Sequence, residues 1–358
     1  MIYINARFLT QSITGVQRFA IEISKELKDL MGDNIRFVSP PDILHKEIAK
    51  YLAVEIIGKR KGHLWEQIDL PQFLKRRNNP FLLNLCSTAP IYYSNQIITH
   101  HDITYIRYPK SFSLAFRTLY RLIIPQILKH SKGLITVSNF SKNEISQYYK
   151  YPLDKIHIIY NAVNQNFKPK ENFSSESKKS SSTKYLLAVS SNNYHKNFKG
   201  LVEAFSLISK DIDVKLLIVG NYDSKSFKHI KLDSLNNRVK FVGRISDQEL
   251  IKLYQSAEAF IFPSLYEGFG IPPLEAQACG CPVLASNVAS IPEILQASSL
   301  FFDPLDINSM TIAITKILTT PNLRIELREK GIDNVKRYSW KSSAKEIINI
   351  IKKQKIEI

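Results

Sequence analysis

Short β-rich apolar runs alternate with longer segments of helical periodicity along nearly the whole chain, and this alternation restricts the fold more than any other feature. In the first half, strands are expected at Ile2–Ile4, Ile35–Val38, Phe81–Leu85, Ile97–Thr99, Leu134–Val137 and Ile156–Ile159. Helices are expected there at Val16–Leu30, Phe116–Leu128 and Lys142–Tyr149. In the second half the expected strands are Tyr185–Val189, Lys215–Val219, Val239–Phe241, Ala259–Phe262 and Pro282–Ala285. Helical patterns there cover Gly200–Ile208, Asp247–Gln255, Pro273–Cys279, Ile307–Thr319 and Pro321–Tyr338.

Strands joined by helical crossovers pair in parallel, so the expected fold class is α/β, with doubly wound parallel sheets. A polar Ser/Lys stretch, FSSESKKSSST, interrupts the pattern and reads as a linker or exposed loop at 173–183. It divides the 358 residues into a domain of residues 1–172 and another of residues 184–341, each long enough for its own core. The last helix, Ser342–Lys353, is expected to pack back on the first domain. Ligands of such sheets sit beyond the carboxyl ends of the strands, so a site between two of them is expected.

The segment with most chemical content is Glu267-Gly-Phe-Gly-Ile-Pro-Pro-Leu-Glu275, which follows the apolar run AFIFPS. Proline suits the first turn of a helix, where its missing N–H leaves no bond unmade. Gly268 and Gly270 permit close backbone approach and unusual φ values, and free N–H groups at a strand-to-helix turn suit a diphosphate. Glu267 and Glu275 supply carboxylates suited to holding sugar or ribose hydroxyls. The bland alternative is that Glu267 caps the turn and Glu275 faces solvent.

This segment resembles the E-x7-E signature of the retaining glycosyltransferases of family 4, and the resemblance covers nearly the whole chain. It implies the GT-B fold, two Rossmann-like domains facing a cleft, with acceptor bound by the first and nucleotide sugar by the second. It also implies that Glu267 contacts the donor sugar and Glu275 the ribose, with amides around Phe269 and Gly270 holding sugar and phosphate. The run Val189-Ser-Ser-Asn-Asn-Tyr-His-Lys-Asn-Phe-Lys-Gly200 resembles the family element that holds the leaving diphosphate. Lys196 matches the family lysine, His195 stands where arginine is common, and Ser190 and Ser191 replace a frequent Gly-Arg or Gly-Thr pair. A cation there offsets the charge that grows on the leaving nucleotide.

Phe241-Val-Gly-Arg-Ile-Ser246 resembles the loop lining the base, with Gly243 near the base and Arg244 near base or phosphate. Asn5-Ala-Arg-Phe-Leu9 and Ile13-Thr-Gly-Val-Gln-Arg18 resemble the opening strand and glycine loop. Gly15 is then expected beside the donor phosphate, and Arg18 either on an acceptor phosphate or on the helix surface. His100-His101-Asp102 resembles the family's H-D element, which implies that His101 bonds the transferred sugar or acceptor and that Asp102 orients its ring. Val137-Ser-Asn-Phe-Ser141 matches another family element, whose serines serve equally as helix caps.

Two tempting patterns lead elsewhere. Asp211-Ile-Asp213 has the D-x-D form of metal-dependent transferases, but it precedes a strand and reads as a turn, so no metal is expected. Gly268-x-Gly270 lacks the third glycine of a dinucleotide fingerprint, because Pro273 stands there.

The net charge is +17, of which residues 1–170 carry +12, and this favours a polyanionic partner. The basic helix RTLYRLIIPQILKH, with Arg117, Arg121 and Lys129, suits either an anionic membrane surface or core packing with a basic edge. No zinc-finger spacing or RNA-binding aromatic signature accompanies the charge, so nucleic acid is not expected. Cys86, Cys279 and Cys281 form neither a disulfide framework nor a metal set. No secretory pattern opens the chain, and a cytoplasmic place, peripheral on the membrane's inner face, is expected.

The resemblance implies transfer of a hexose from a nucleotide sugar to a glycan or lipid-diphosphate-linked glycan. TGVQRFA and HDITYIRYPKSFS look most like bacterial mannosyl- or rhamnosyltransferases of surface-polysaccharide assembly, which ranks GDP-mannose before dTDP-rhamnose or a UDP-hexose. The rivals are a sugar-nucleotide epimerase of the same architecture and a nucleic-acid-binding protein.

Overall fold

A computed structural model describes residues 1–170, 184–189, 191, 193–220 and 238–354. Both the expected linker at 173–183 and Ser190 lie outside the described residues.

The chain forms two compact units. Unit 1 comprises Met1–Ile106, Ser113–Asn161 and the chain from Ser339; unit 2 comprises Arg107–Phe112 and Ala162–Tyr338. Unit 1 is built on seven strands: β1 (Ile2–Asn5), β2 (Ile35–Ser39), β3 (Glu55–Ile56), β4 (Phe81–Asn84), β5 (Gln96–Thr99), β6 (Gly133–Thr136) and β7 (Ile156–Ile158). They lie in the order β3-β2-β1-β4-β5-β6-β7. Among the described residues unit 2 has six: β8 (Tyr185–Val189), β9 (Lys215–Val219), β10 (Val239–Gly243), β11 (Ala259–Phe262), β12 (Val283–Ser286) and β13 (Leu300–Phe302). Their order is β10-β9-β8-β11-β12-β13, and every pairing in both sheets is parallel.

The inner strands β1, β4, β5, β6, β11 and β12 are buried at every position. Such strands need helices on both faces, which is why they read as continuous apolar runs rather than alternating ones. Each fully buried Leu, Ile or Phe contributes roughly 1.5–3 kcal/mol relative to exposure. In unit 1, helix Gly15–Met31 buries Phe19, Ala20, Ile23 and Leu27, a single helical stripe. Helix Trp340–Lys353 presents Trp340, Ala344, Ile347 and Ile351 at matching spacing, and the Phe19 and Trp340 rings meet edge-on at 6.0 Å. The core of unit 2 gathers Leu216, Ile261 and Leu284 from its strands with Leu201, Phe205 and Ile314 from helices packed on them.

The edge strands β3 and β13, two and three residues long, were not expected from sequence. Periodicity cannot register over so few positions; pairing with β2 and β12 creates them. The Asp211-Ile-Asp213 stretch precedes β9 in a turn, where the Asp211 carboxylate accepts from the Ser209 hydroxyl at 2.9 Å. Among the described residues, no helix is long and apolar enough to cross a membrane.

Candidate active site

In an open parallel sheet the ligand crevice forms where strand order reverses, because the loops leaving the two central strands diverge there. Unit 2 reverses between β8 and β11. The loop after β8 carries Lys196, and the loop after β11 carries Glu267. The topology thus joins residues 71 positions apart: Lys196 Nζ donates to Glu267 Oε1 at 2.6 Å. Both side chains are largely shielded, at 17% and 12% exposure, so solvent screens this pair less than a surface pair. The ammonium also stands 5.9 Å from the Phe262 ring centroid.

Each loop is shaped by identifiable residues. A 3-10 turn, Tyr194–Lys196, leads into helix Phe198–Ser206 through Asn197, whose φ of +54° is left-handed. Asparagine tolerates that region, and here its side-chain amide is anchored on the Pro304 carbonyl at 2.8 Å. A Cβ at Gly200 would lie 2.7 Å from the held Asn197 Oδ1, so glycine is required one turn later. The two loops are tied by Leu265 N–H donating to the His195 carbonyl at 2.7 Å.

Past Glu267 the chain turns through Gly268, Phe269 and Gly270 into helix Ile271–Ala278. Gly270 has φ +96°, and a Cβ there would meet Phe262 Cε1 at 3.3 Å. Phe269 is buried edge-on against Tyr338 at 5.6 Å. Ser290 Oγ–H reaches the carbonyls of both Glu267 (2.9 Å) and Phe269 (3.2 Å). Ser286 does likewise for Phe262 and Ser264, at 3.0 and 2.6 Å. Neither serine was singled out from sequence; both sit in the stretch ASNVASIPEIL, and only the folded chain shows which carbonyls they hold.

Glu275 is buried at 7% exposure, not solvent-facing. Burial raises the Tyr254 phenol well above its usual value, and the neighbouring Glu275 carboxylate adds to that. The Cys279 thiol is pushed up to about 12, by burial first and by Glu275 second. At the far end of β10, Gly243 has φ +80° and accepts from Gly220 N–H at 2.8 Å, and Arg244 is exposed in the loop that follows.

Unit 1 reverses between β1 and β4. There Arg7 Nε meets Glu66 Oε1 at 3.1 Å and Nη2 donates to Thr88 Oγ1 at 2.6 Å. Asn5 at the end of β1 donates to both Glu66 (2.9 Å) and Asn84 (3.0 Å), and Asn84 donates on to Gln96 (3.0 Å). Arg7 and Glu66 are 7% and 1% exposed. Burial alone would raise the Glu66 carboxyl, but the Arg7 guanidinium and further hydrogen bonds outweigh it and hold it at about 2. Glu66 lies far from Arg7 in sequence, on a one-turn π-helical segment Trp65–Asp69, and no motif announced it.

His101, following β5, is 7% exposed; its Nε2 contacts the Leu85 carbonyl at 3.4 Å, and its ring meets Phe19 edge-on at 5.0 Å. Burial pushes it down to about 4, so the imidazole is neutral near pH 7. His100 is pushed to about 3 by burial and then by His101. Asp102 departs from the expectation that it orients His101. Its carboxylate accepts from Thr104 N at 2.8 Å and Thr104 Oγ1 at 2.6 Å, starting the short helix Thr104–Arg107. The nearby backbone and hydroxyl donors satisfy it locally, as short acidic side chains readily are. Gly15 is exposed at the first turn of helix Gly15–Met31, and Arg18 is half-buried one turn on. Ser138 caps helix Asn139–Tyr149, accepting from Ser141 N at 3.0 Å.

Comparison with known proteins agrees with this architecture. The family profile described as "Glycosyl transferases group 1" matches residues 169–338, and that described as "Glycosyltransferase Family 4" matches residues 13–167. The chain is 32% identical over 334 residues to the O-antigen chain mannosyltransferase RfbU of Salmonella typhimurium, covering 89% of this chain and 91% of that protein. It is 28% identical over 265 residues to O-antigen chain mannosyltransferase B of Escherichia coli, covering 72% and 70%. The crystal structure of Anabaena HepE in complex with UDP and glucose superposes with a TM-score of 0.78 at 17% identity, covering 98% of this chain and 99% of that one. With two parallel doubly wound units, matches to both halves and a relative aligned over nearly its full length, the chain belongs to glycosyltransferase family 4 and is a hexosyltransferase of the GT-B fold.

Proposed function

We propose that the enzyme transfers mannose from GDP-mannose to a glycan acceptor, with retention of anomeric configuration, during assembly of a bacterial surface polysaccharide. The next donors in order are dTDP-rhamnose and a UDP-hexose. The observation that carries the donor site is the Lys196–Glu267 ion pair at the switch point of unit 2. Mannose is favoured by the names of the two O-antigen relatives.

In this reading Glu267 accepts hydrogen bonds from hydroxyls of the transferred sugar, and Lys196 faces the diphosphate. Glu275 takes the ribose hydroxyls, the amides of Gly268, Phe269 and Gly270 serve sugar and phosphate, and Gly243 and Arg244 border the base. Gly15 lies by the donor phosphate, with Arg18, His101 and Asp102 on the acceptor side. A neutral His101 acts by hydrogen bonding, not by charge, and Asp102 contributes through the Thr104 turn.

For retention, the acceptor oxygen attacks the anomeric carbon on the face from which the phosphate leaves. The new C–O bond forms as the old one breaks, and the departing phosphate oxygen takes the acceptor's proton. Lys196 stabilises the charge developing on that phosphate, the kind of preorganised contact worth about 3–4 kcal/mol elsewhere. No metal is assigned a role.

A lipid-linked acceptor at an anionic membrane is favoured by helix Leu114–His130, which exposes Leu114 (70%) and Leu122 (67%) beside Arg121 and Lys129. The test is a thermal-shift panel of GDP-mannose, dTDP-rhamnose and UDP-hexoses, followed by anomeric analysis of the product made with the most stabilising donor. Stabilisation by GDP-mannose and an α-linked product support the proposal. No stabilisation by any nucleotide sugar, or an inverted product, overturns it.

A further inference from the structure

Unit 2 contains a segment that comes from far away in sequence. Arg107–Phe112 leaves unit 1 after Ile106 and returns to it at Ser113, and in between it packs on the loops that follow β8 and β11. Several of its contacts meet at His195. Ser111 Oγ accepts from His195 N–H at 3.3 Å and bonds His195 Nδ1 at 2.8 Å. The Phe112 ring lies parallel to the imidazole, 3° between planes at 6.2 Å. Tyr108 O–H donates to the Leu265 carbonyl at 3.3 Å, and its ring adjoins Tyr266 at 5.8 Å.

His195 immediately precedes Lys196, and its own carbonyl receives Leu265 N–H. Buried at 5% exposure and occupied by Ser111 and Phe112, its side chain is directed to this segment. The peptide on either side of Leu265 is therefore held twice, its N–H by His195 and its carbonyl by Tyr108. Two residues on, Glu267 meets Lys196.

We propose that Ser111 and His195 are positioning residues, and that the segment Arg107–Phe112 is a splint holding Lys196 in register with Glu267 before the donor arrives. The proposal rests on the reading of Lys196 as the diphosphate cation. Without the splint the 3-10 turn Tyr194–Lys196 keeps the bond from Leu265 N–H but loses those between Ser111 and His195, and the ammonium samples positions away from Glu267. Ordering it then falls to the donor, whose affinity drops accordingly.

The test is calorimetric titration of five full-length proteins with the most stabilising nucleotide sugar from the panel above: wild type, Ser111→Ala, Tyr108→Phe, Lys196→Ala and the Ser111→Ala/Lys196→Ala double variant. Ser111→Ala weakens donor binding by about 5- to 10-fold, the scale of one lost hydrogen bond. In the Lys196→Ala protein the same change alters affinity by less than about 2-fold, because the group it positions is gone. Tyr108→Phe behaves like Ser111→Ala, more weakly, and all variants melt within a few degrees of wild type. Equal losses from Ser111→Ala in both backgrounds would reveal a general structural role and overturn the proposal, as would wild-type affinity in both Ser111→Ala and Tyr108→Phe. If Lys196→Ala alone binds donor like wild type, the reading of Lys196 itself falls, and that failure is distinct from a splint that does not couple.

Discussion

Lys196 and Glu267 meet because asparagine, glycine and serine shape their loops, and substitutions separate shaping from chemistry. Glu267→Ala and Lys196→Ala should each lower transfer by about 100-fold or more, measured as initial rates with saturating acceptor, while melting temperature stays within a few degrees. Near-normal turnover by either variant contradicts its assigned role. Gly270→Ala should act differently, since a left-handed φ of +96° and a 3.3 Å approach to Phe262 oppose any side chain. A stability loss of about 1–3 kcal/mol in denaturant titration is expected there, and an unchanged midpoint would show that the loop relaxes freely. The motif from Glu267 to Glu275 was legible because its glycines and prolines punctuate a strand-to-helix turn. Asp102 was misread because spacing puts it beside His101, whereas its bonds run forward to Thr104. Ser290 and Ser111 were invisible because their partners, Glu267 and His195, lie 23 and 84 positions away.

Among elements, the inner strands were readable as apolar runs, but what gathers at their carboxyl ends was not. The Arg7–Glu66 pair illustrates this: Arg7 follows β1 directly, yet its partner arrives from a π-helical turn with no sequence signature. Glu66→Ala should cost about 3–5 kcal/mol by leaving a buried guanidinium without its counter-ion, and a loss under about 1 kcal/mol would show that the pair is dispensable. The histidines after β5 make a second prediction, in pH. His101 has a folded value of about 4, below the unfolded value near 6.5, so the unfolded chain binds the proton first as pH falls. Its burial therefore leaves stability intact above pH 6.5 and removes it progressively towards pH 4, by on the order of 3 kcal/mol. Melting temperature measured from pH 7.5 to 4.5 should fall more steeply for wild type than for His101→Asn. Parallel curves would mean that His101 is not the proton acceptor. The segment Arg107–Phe112 shows the limit of reading elements in order, since its contacts place it in unit 2 although its neighbours in sequence belong to unit 1.

For the whole molecule, the fold class followed from the alternation of strands and helices, whereas the edge strands β3 and β13 required the sheets that pair with them. The +17 charge and the exposed Leu114 and Leu122 beside Arg121 and Lys129 bear on where the enzyme works. Flotation with vesicles containing anionic lipid should recover the protein, and Leu114→Ser with Leu122→Ser should reduce recovery severalfold at low salt. Absence from the vesicle fraction at every salt concentration would remove the membrane from the account. Donor binding by the loops after β8 and β11 is the claim on which the rest depends. It is tested most directly by comparing the thermal shift produced by GDP-mannose, dTDP-rhamnose and UDP-hexoses on wild type, Lys196→Ala and Glu267→Ala. GDP-mannose should raise the wild-type melting temperature most, and either substitution should remove most of the shift. Equal shifts on all three proteins, or none on any, would contradict that claim.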